Sequence, residues 1–300
     1  MKKNVHILSL LLIAFIAFGC SSDNESLDST EQQQEEEALA DLVIKEVHVQ
    51  LIDSEDCSRR IQFNENGKLE NVIWCEDATV VRTHFYNPDG QITAVTGYGD
   101  YIYDGARLIR RLGGNDTGSS TVDYIYEGNK VTSDGYYNGD PYKYNQVFEF
   151  ENDTHRKLLN VTTNENVLNE PYVSNYVVYE YENNLLVRVT SEQFNEDTQQ
   201  LELKGMTEYF YDDKRNPLQT GLNQDALIYY MTPLLYSSDL ISTLTYQMQH
   251  NVIKAKLTNF EIGFEREFTY DYIYNENGFP ISYEFKRDGE SLSIFSFEYY

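Results

Sequence analysis

Apolar and polar residues alternate along most of the chain after residue 42, and turn residues interrupt the alternation at short intervals. One phrase recurs: an aromatic residue, any residue, a second aromatic residue, then Asp, Asn or Glu and a turn. A spacing of two puts both aromatics on one face of a strand, and Asn, Asp and Gly favour tight turns. Each copy therefore predicts one β-hairpin corner. The copies begin at Phe85, Tyr101, Tyr124, Phe148, Tyr179, Tyr209 and Tyr272.

Chained hairpins predict an all-β fold, a long antiparallel meander curled into a barrel-like or strongly curved soluble sheet. The predicted organisation is a signal peptide at 1–19, an acidic flexible tether at 20–41 and a single β domain at 42–300. Apolar residues at helical spacing around Pro233 predict a short helical insertion near residues 220–245. Two short helical pieces that plug the sheet, or a loop with a binding role, are the alternatives for this segment.

Two stretches of the chain resemble known families. Tyr101–Leu108 resembles the tyrosine-aspartate repeats of Rhs-type proteins. Tyr211–Pro217, followed after a gap by Asn251-Val252-Ile253, is similar to an uncharacterised domain family of Bacteroidota lipoproteins with a porin-like, barrel-shaped fold. The resemblance covers roughly residues 60–300. It implies a fold and a compartment, and it brings no activity and no catalytic residues.

The first twenty residues predict export and lipidation. Lys2 and Lys3 precede an apolar run that is too short to span a membrane permanently. The following Ala17-Phe18-Gly19-Cys20 resembles the lipobox of bacterial lipoproteins, which implies cleavage before Cys20 and acylation of its thiol. The segment Ser21–Glu25 is similar to the acidic export tags of surface lipoproteins of Bacteroidota. We therefore expect an outer-membrane lipoprotein at the cell surface, with the periplasmic face as the alternative.

Charge narrows the range of partners. The formal charge of −26 becomes −28 once residues 1–19, with two lysines and no acid, are removed. Such a protein repels phosphate backbones, so nucleic acid is excluded as a partner and the membrane is contacted only through the N-terminal lipid. A barrel that spans the membrane is disfavoured as well, because the strands carry charges on both faces, as at Glu149 and Glu151 or at Arg188 and Glu180.

Residues with catalytic or metal-binding patterns are scarce. The histidines occur singly, and no nucleophile motif surrounds any serine, so we predict no catalytic residues and no metal site. Calcium is the one cofactor that stays open, because Asn64–Gly67 and Asn87–Gly90 offer oxygen ligands, although neither turn has the spacing of an EF-hand loop. Among so many acids, a chance pair at glycosidase separation carries no information.

Three arginines cluster against the acidic background. In a regular strand Arg107 and Arg111 would share one face and Arg110 would take the other. Two guanidinium groups on one face could bind a carboxylate or sulfate. The alternative is that all three pair with neighbouring acids.

Cys57 and Cys75 are predicted to form a disulfide across one hairpin. Export favours oxidation, and lipidation of Cys20 leaves only these two thiols. A turn at Asn64–Gly67 that ends in a left-handed Gly would set Asn64 opposite Lys68 and Cys57 opposite Cys75. The alternatives are two reduced cysteines or a register slipped by one residue.

Two functional hypotheses follow from these observations. The first is a non-enzymatic module that binds a glycan, a peptide or a partner protein through tyrosine side chains, because tyrosine offers both apolar area and a hydroxyl. The second is an extracellular hydrolase with acidic residues in the barrel mouth. Aligned open tyrosines would favour the first hypothesis, and two buried carboxylates in a pocket would favour the second.

Overall fold

The computed structural model describes residues 42–52, 57–115, 118–138, 140–141, 144–154, 157–167, 170–221 and 248–300. These residues form an all-β domain of consecutive antiparallel strands. β1 pairs with β2 on one side and with β19 on the other, so the sheet closes on itself as an 18-strand barrel. The predicted antiparallel meander is confirmed, and the sheet is a closed barrel.

The strands are β1 Ile44–Leu51, β2 Cys57–Phe63, β3 Leu69–Trp74, β4 Val80–Tyr86, β5 Ile92–Val95, β6 Gly99–Asp104, β7 Arg107–Asn115, β8 Gly118–Glu127, β9 Lys130–Tyr137, β10 Asp140–Pro141, β11 Tyr144–Phe150, β12 Leu158–Val167, β13 Glu170–Glu182, β14 Leu185–Asn195, β15 Gln200–Arg215, β16 His250–Asn259, β17 Phe264–Tyr274, β18 Pro280–Arg287 and β19 Glu290–Tyr299. β10 is a two-residue strand that pairs with the end of β9. Because β11 pairs with β9 directly, β10 does not count among the 18 strands of the barrel.

The barrel has two different ends. We call the end that holds the β2–β3, β4–β5, β6–β7, β8–β9, β11–β12, β13–β14, β15–β16 and β17–β18 connections the aromatic end. Both the start of β1 at Ile44 and the end of β19 at Tyr299 lie there, because these two residues pair. The opposite end, which holds the remaining connections, is the loop end. The recurring aromatic phrases fall at strand ends on the aromatic end, as the sequence predicts.

The first aromatic of most phrases lies inside the barrel. The buried members are Tyr101, Tyr124, Phe148, Tyr179 and Tyr209, each 6 % exposed or less. They join one continuous cluster with apolar side chains from almost every strand. Rings also stack across strands, with centroids 4.4 Å apart for Tyr283 and Phe295 and 5.1 Å apart for Tyr270 and Phe285. The tyrosines thus form the interior wall of the aromatic end.

The second aromatic of several phrases is a tyrosine whose hydroxyl donates a hydrogen bond to the backbone of the preceding strand. Tyr126 donates a hydrogen bond to the carbonyl of Leu108 at 2.8 Å, and Tyr211 donates to the carbonyl of Leu186 at 2.6 Å. Tyr86 and Tyr299 bond the starts of β3 and β18 in the same way. Each bond links the end of one strand to the start of the preceding one, so the aromatic end is closed by polar bonds as well as by packing.

A bulge recurs near the start of the strand that follows seven of the eight connections of the aromatic end, whereas the β8–β9 ladder is regular. In the β6–β7 hairpin Tyr103 opposes Leu108 but Ile102 opposes Arg110, so Ile109 is unpaired. The extra residue bends the strand and increases its twist, which helps a sheet to close. The same shift leaves an unpaired residue at positions 70, 93, 109, 159, 187, 253 and 281.

The outer wall of the barrel carries cross-strand ion pairs. Arg188 lies between Glu180 on β13 and Glu208 on β15, at 3.0 and 3.2 Å. Lys286 of β18 contacts Asp271 of β17 at 2.6 Å. Further pairs on this wall are Arg110–Asp123, Lys130–Glu149 and Lys254–Glu267. Charged side chains of both signs therefore cover strands around the circumference.

The predicted helical insertion lies almost entirely outside the described residues. Its first part is a four-residue helix, α1, at Leu218–Gly221, and residues 222–247 are not described. Within the described part of the chain, no helix is long and apolar enough to cross a membrane.

Candidate binding site in the barrel interior

Arginines point into the barrel of this acidic protein, and register places four of those that the structure describes. Each opposes a buried residue of the core on a neighbouring strand, which fixes the face that it occupies. Arg59 opposes Val49, Arg82 opposes Val72, Arg111 opposes Tyr101 and Arg287 opposes Phe268. The interior of the half-barrel from β17 through β19 and β1 to β7 is thus basic, whereas the outer wall is mixed and rich in acids.

Arg82 and His84 form the most enclosed polar group of this interior. Both side chains are 3 % exposed. Arg82 donates a hydrogen bond to the Tyr98 hydroxyl at 2.7 Å, and its guanidinium lies 4.3 Å from the centroid of that ring. Burial and the charge of Arg82 lower the pKa of His84 to about 4, against a weaker opposing contact with the backbone of Glu70. His84 is therefore neutral at physiological pH, and Arg82 carries the positive charge.

Arg111 and Tyr124 form a second polar group on β7 and β8. Arg111 opposes Val122, and Tyr124 follows two residues later on the same face, so the two side chains are diagonal neighbours. Tyr124 is 4 % exposed, and neither its hydroxyl nor the buried Nε of Arg111 has a hydrogen-bond partner among the described residues. Burial raises the pKa of Tyr124, and the charge of Arg111 acts in the opposite direction. The hydroxyl is therefore a donor at neutral pH.

The predicted grouping of Arg107 with Arg111 is wrong. Because Ile109 is the unpaired residue of a bulge, Arg107 opposes Asp104 at the exposed strand end, whereas Arg111 points inward. The Arg107 guanidinium instead lies 5.3 Å from the ring centroid of Tyr126. Arg110 bonds Asp123 on the outer wall through two nitrogens, as the alternative of pairing with acids predicted.

The predicted register of the cysteine hairpin is wrong by one residue. The turn forms as expected: Gly67 has φ of 69°, and the amide of Asn64 donates to the carbonyl of Lys68 at 2.9 Å. The bulge that follows shifts the ladder, and the amide of Cys75 bonds the carbonyl of Ser58 at 3.2 Å. The side chain of Cys57 lies outside the described residues, so the disulfide stays a prediction. Cys20 also lies outside them.

A partly buried carboxylate network around Asp212 has a structural role. Asp212 accepts hydrogen bonds from the Tyr274 hydroxyl and, at 3.2 Å, from the amide of Asn251, which is 3 % exposed. The Asn216 side chain donates to the carbonyl of Met248 at 3.2 Å. These contacts hold together the two ends of the β15–β16 connection.

Metal ligands do not gather in the described part of the chain, where no group of three His, Cys, Asp or Glu side chains could hold an ion. In the two turns considered for calcium, Asn64 and Asn87 use their side-chain oxygens to accept backbone amides at 2.9 to 3.1 Å. Calcium binding there would have to displace these bonds.

No family model and no curated protein matches the chain. Among solved structures, the chain is similar to a porin-like protein from Bacteroides vulgatus ATCC 8482, with 13 % identity, a TM-score of 0.43 and coverage of 87 % of this chain and 99 % of that one. It is also similar to a porin-like protein from Bacteroides uniformis ATCC 8492, with 12 % identity, a TM-score of 0.35 and coverage of 86 % and 96 %. The relation to the lipoprotein family and to tyrosine-aspartate repeats stays a prediction.

Proposed function

We propose that this chain is a lipid-anchored, non-enzymatic binding barrel of the outer membrane, held by Cys20 and displayed at the cell surface. Its barrel stands in water and binds a glycan, a peptide or a partner protein through its interior. The ion pairs of the outer wall are the observation that carries the proposal. A wall in contact with lipid needs a continuous apolar band, and each charge at mid-membrane costs about 2–4 kcal/mol.

The two ends of the barrel differ in how they are filled. Tyrosine bonds and packed rings fill the aromatic end, whereas side chains toward the loop end, such as Thr163, Ser191 and Thr207, are only partly buried. Ligand would therefore enter from the loop end.

The basic interior supports the binding role. An interior arginine concentrates positive potential where the long-range field of the protein is negative, so a ligand with an acidic group gains specific contacts only once it is inside. The hydrolase hypothesis gains no comparable support. Glu46 is the most buried carboxylate among the described residues, and it accepts a hydrogen bond from Gln62 and lies within 4 Å of His48 and Arg60. Asp212 is held by Tyr274 and Asn251 in the β15–β16 connection.

Two measurements test the proposal. Membrane fractionation under high salt should find the wild type with the outer membrane, and protease added to intact cells should cleave it if it is surface-displayed. The purified exported chain should then bind members of a glycan and peptide panel without turning them over. Heat-modifiable, detergent-dependent insertion of the barrel into lipid vesicles would refute the water-exposed wall, and turnover of any bound glycan would refute the non-enzymatic role.

A further inference from the structure

Two hydrogen-bond donors inside the barrel lack acceptors. The Nε–H of Arg111 and the hydroxyl of Tyr124 are buried and have no partner among the described residues. A buried donor without an acceptor costs roughly 1–3 kcal/mol, and more when the donor is charged. Both donors lie on the interior face of adjacent strands, so a single acceptor group could satisfy them together.

The surroundings of these donors lack the carboxylate that normally accompanies arginine. The interior-facing residues that the structure describes on β6 to β9 include no Asp or Glu, because Asp100, Asp123 and Asp134 all belong to the outer face. Among the described residues of these strands, no acid therefore shares the face of Arg111. A negatively charged ligand group would supply the missing partner.

Small side chains and aromatic surface lie beside the two donors. Ser133 and Gly135 of β9 continue the interior face next to Tyr124 and Val122, and they occupy less of the interior than larger residues would. The ring of Tyr101, 4 % exposed, borders Arg111 from the other side. Aromatic rings next to an ionic group suit a ligand that combines a flat apolar ring face with an acid, as an acidic sugar does.

We propose that Arg111 and Tyr124 form a subsite for the carboxylate of an acidic sugar, with the guanidinium and the hydroxyl both donating to it. This inference rests on the binding role proposed above and narrows it to one ligand class and two residues. The Tyr124 hydroxyl in particular should act only in binding, because it makes no bond within the described protein, whereas the ring belongs to the core cluster.

A pair of disaccharides that differ in a single group tests the subsite. Cellobiuronic acid carries a carboxylate where cellobiose carries a hydroxymethyl group. Titration calorimetry with the exported full chain, extracted in detergent, should give a saturable signal for cellobiuronic acid and none for cellobiose at the same concentrations. Arg111→Lys should weaken binding, because lysine keeps the charge but loses the planar fork of donors.

Tyr124→Phe is the sharpest variant. It should reduce affinity for cellobiuronic acid roughly tenfold, the effect of losing one hydrogen bond to a charged group. Its melting temperature without ligand should be unchanged or raised, because removal of the hydroxyl breaks no hydrogen bond to a described residue. The matched control is Tyr126→Phe, two residues away on β8, whose hydroxyl does have a protein acceptor. That variant should lose stability and keep its affinity.

The outcomes separate failure of the subsite, of its ligand class and of the proposed binding function. No binding of cellobiuronic acid, equal binding of cellobiose, or unaltered affinity in Tyr124→Phe would overturn the subsite. Tighter binding of a glutamyl-glutamate dipeptide than of the acidic sugar would overturn the ligand class and assign the site to peptides. A panel ligand whose affinity ignores both residues would remove the subsite and leave the proposed binding function standing, whereas turnover or vesicle insertion would remove the function itself.

Discussion

The tyrosine hydroxyl bonds at the aromatic end should make a measurable contribution to stability. Tyr126→Phe removes one oxygen and keeps the ring, together with its contact to Arg107. The carbonyl of Leu108 then loses the hydrogen bond that it accepts at 2.8 Å, and Leu108 itself is fully buried. The side-chain packing is otherwise unchanged, so the substitution isolates the hydroxyl.

The expected loss follows from the type of bond. A neutral hydrogen bond contributes a net 0.5–1.5 kcal/mol, and leaving a buried acceptor unsatisfied adds to this, so we expect about 1–2 kcal/mol. Tyr126→Ala also removes a packed ring and should cost about 3 kcal/mol or more. The difference between the two variants measures the ring, and the Phe variant measures the hydroxyl.

Urea unfolding of the chain from Ser21 to Tyr300, followed by far-UV circular dichroism, gives both numbers. The control is Tyr136→Phe, whose side chain is 36 % exposed on the outer wall and should change stability by less than about 0.5 kcal/mol. If Tyr126→Phe changes the free energy of unfolding as little as Tyr136→Phe does, the hydroxyl bond does not stabilise the pairing of the strands. If Tyr126→Ala is equally silent, the rings do not form the core.

Three further predictions concern the anchor, the cysteines and pH. Cys20→Ser should release the protein from membranes into the soluble fraction, and sedimentation after a high-salt wash would contradict the lipid anchor. The exported protein should gain about two daltons on reduction if Cys57 and Cys75 are bridged; two thiols that alkylate without reductant would exclude the bridge. The pKa of His84 falls from 6.5 in the unfolded chain to about 4 in the folded protein. Between these two pH values, His84 is protonated in the unfolded chain and neutral in the folded protein. The contribution of His84 to stability should thus be constant above pH 6.5 and decline by about 3 kcal/mol as pH falls toward 4, and His84→Gln should remove this part of the slope.

Local patterns in the sequence predict the hairpins, because each corner is built from neighbouring residues. An aromatic pair, a turn with Asn, Asp or Gly, and the buried residue that follows are enough to place Tyr103 and Leu108 at one corner. Closure is not local, since the pairing of β1 with β19 joins opposite ends of the chain. Strict alternation also fails at the bulges, and a single extra residue such as Ile109 reverses the face of every residue beyond it.

The bulge explains both errors in the predicted sites. It separates Arg107 from Arg111, and an equivalent bulge after Leu69 moves Cys75 one place along β2. A signal for it exists in several hairpins, where two apolar residues stand together after the turn, as at Leu108 and Ile109. Of the interior arginines, the sequence singles out Arg111 but not Arg59, Arg82 or Arg287, because the face that a side chain occupies follows from register and not from composition.

The seam between β1 and β19 has a kinetic consequence. Ile44 pairs with Tyr299, so β1 and β19 can join only when a loop of about 250 residues closes. Any chain that is still emerging or is cut short must display two free strand edges, which are sites for aggregation or for capture by other extended chains. Folding to a closed barrel therefore waits for the final strand, and C-terminal truncation by a single hairpin should be far more damaging than its small loss of buried area suggests.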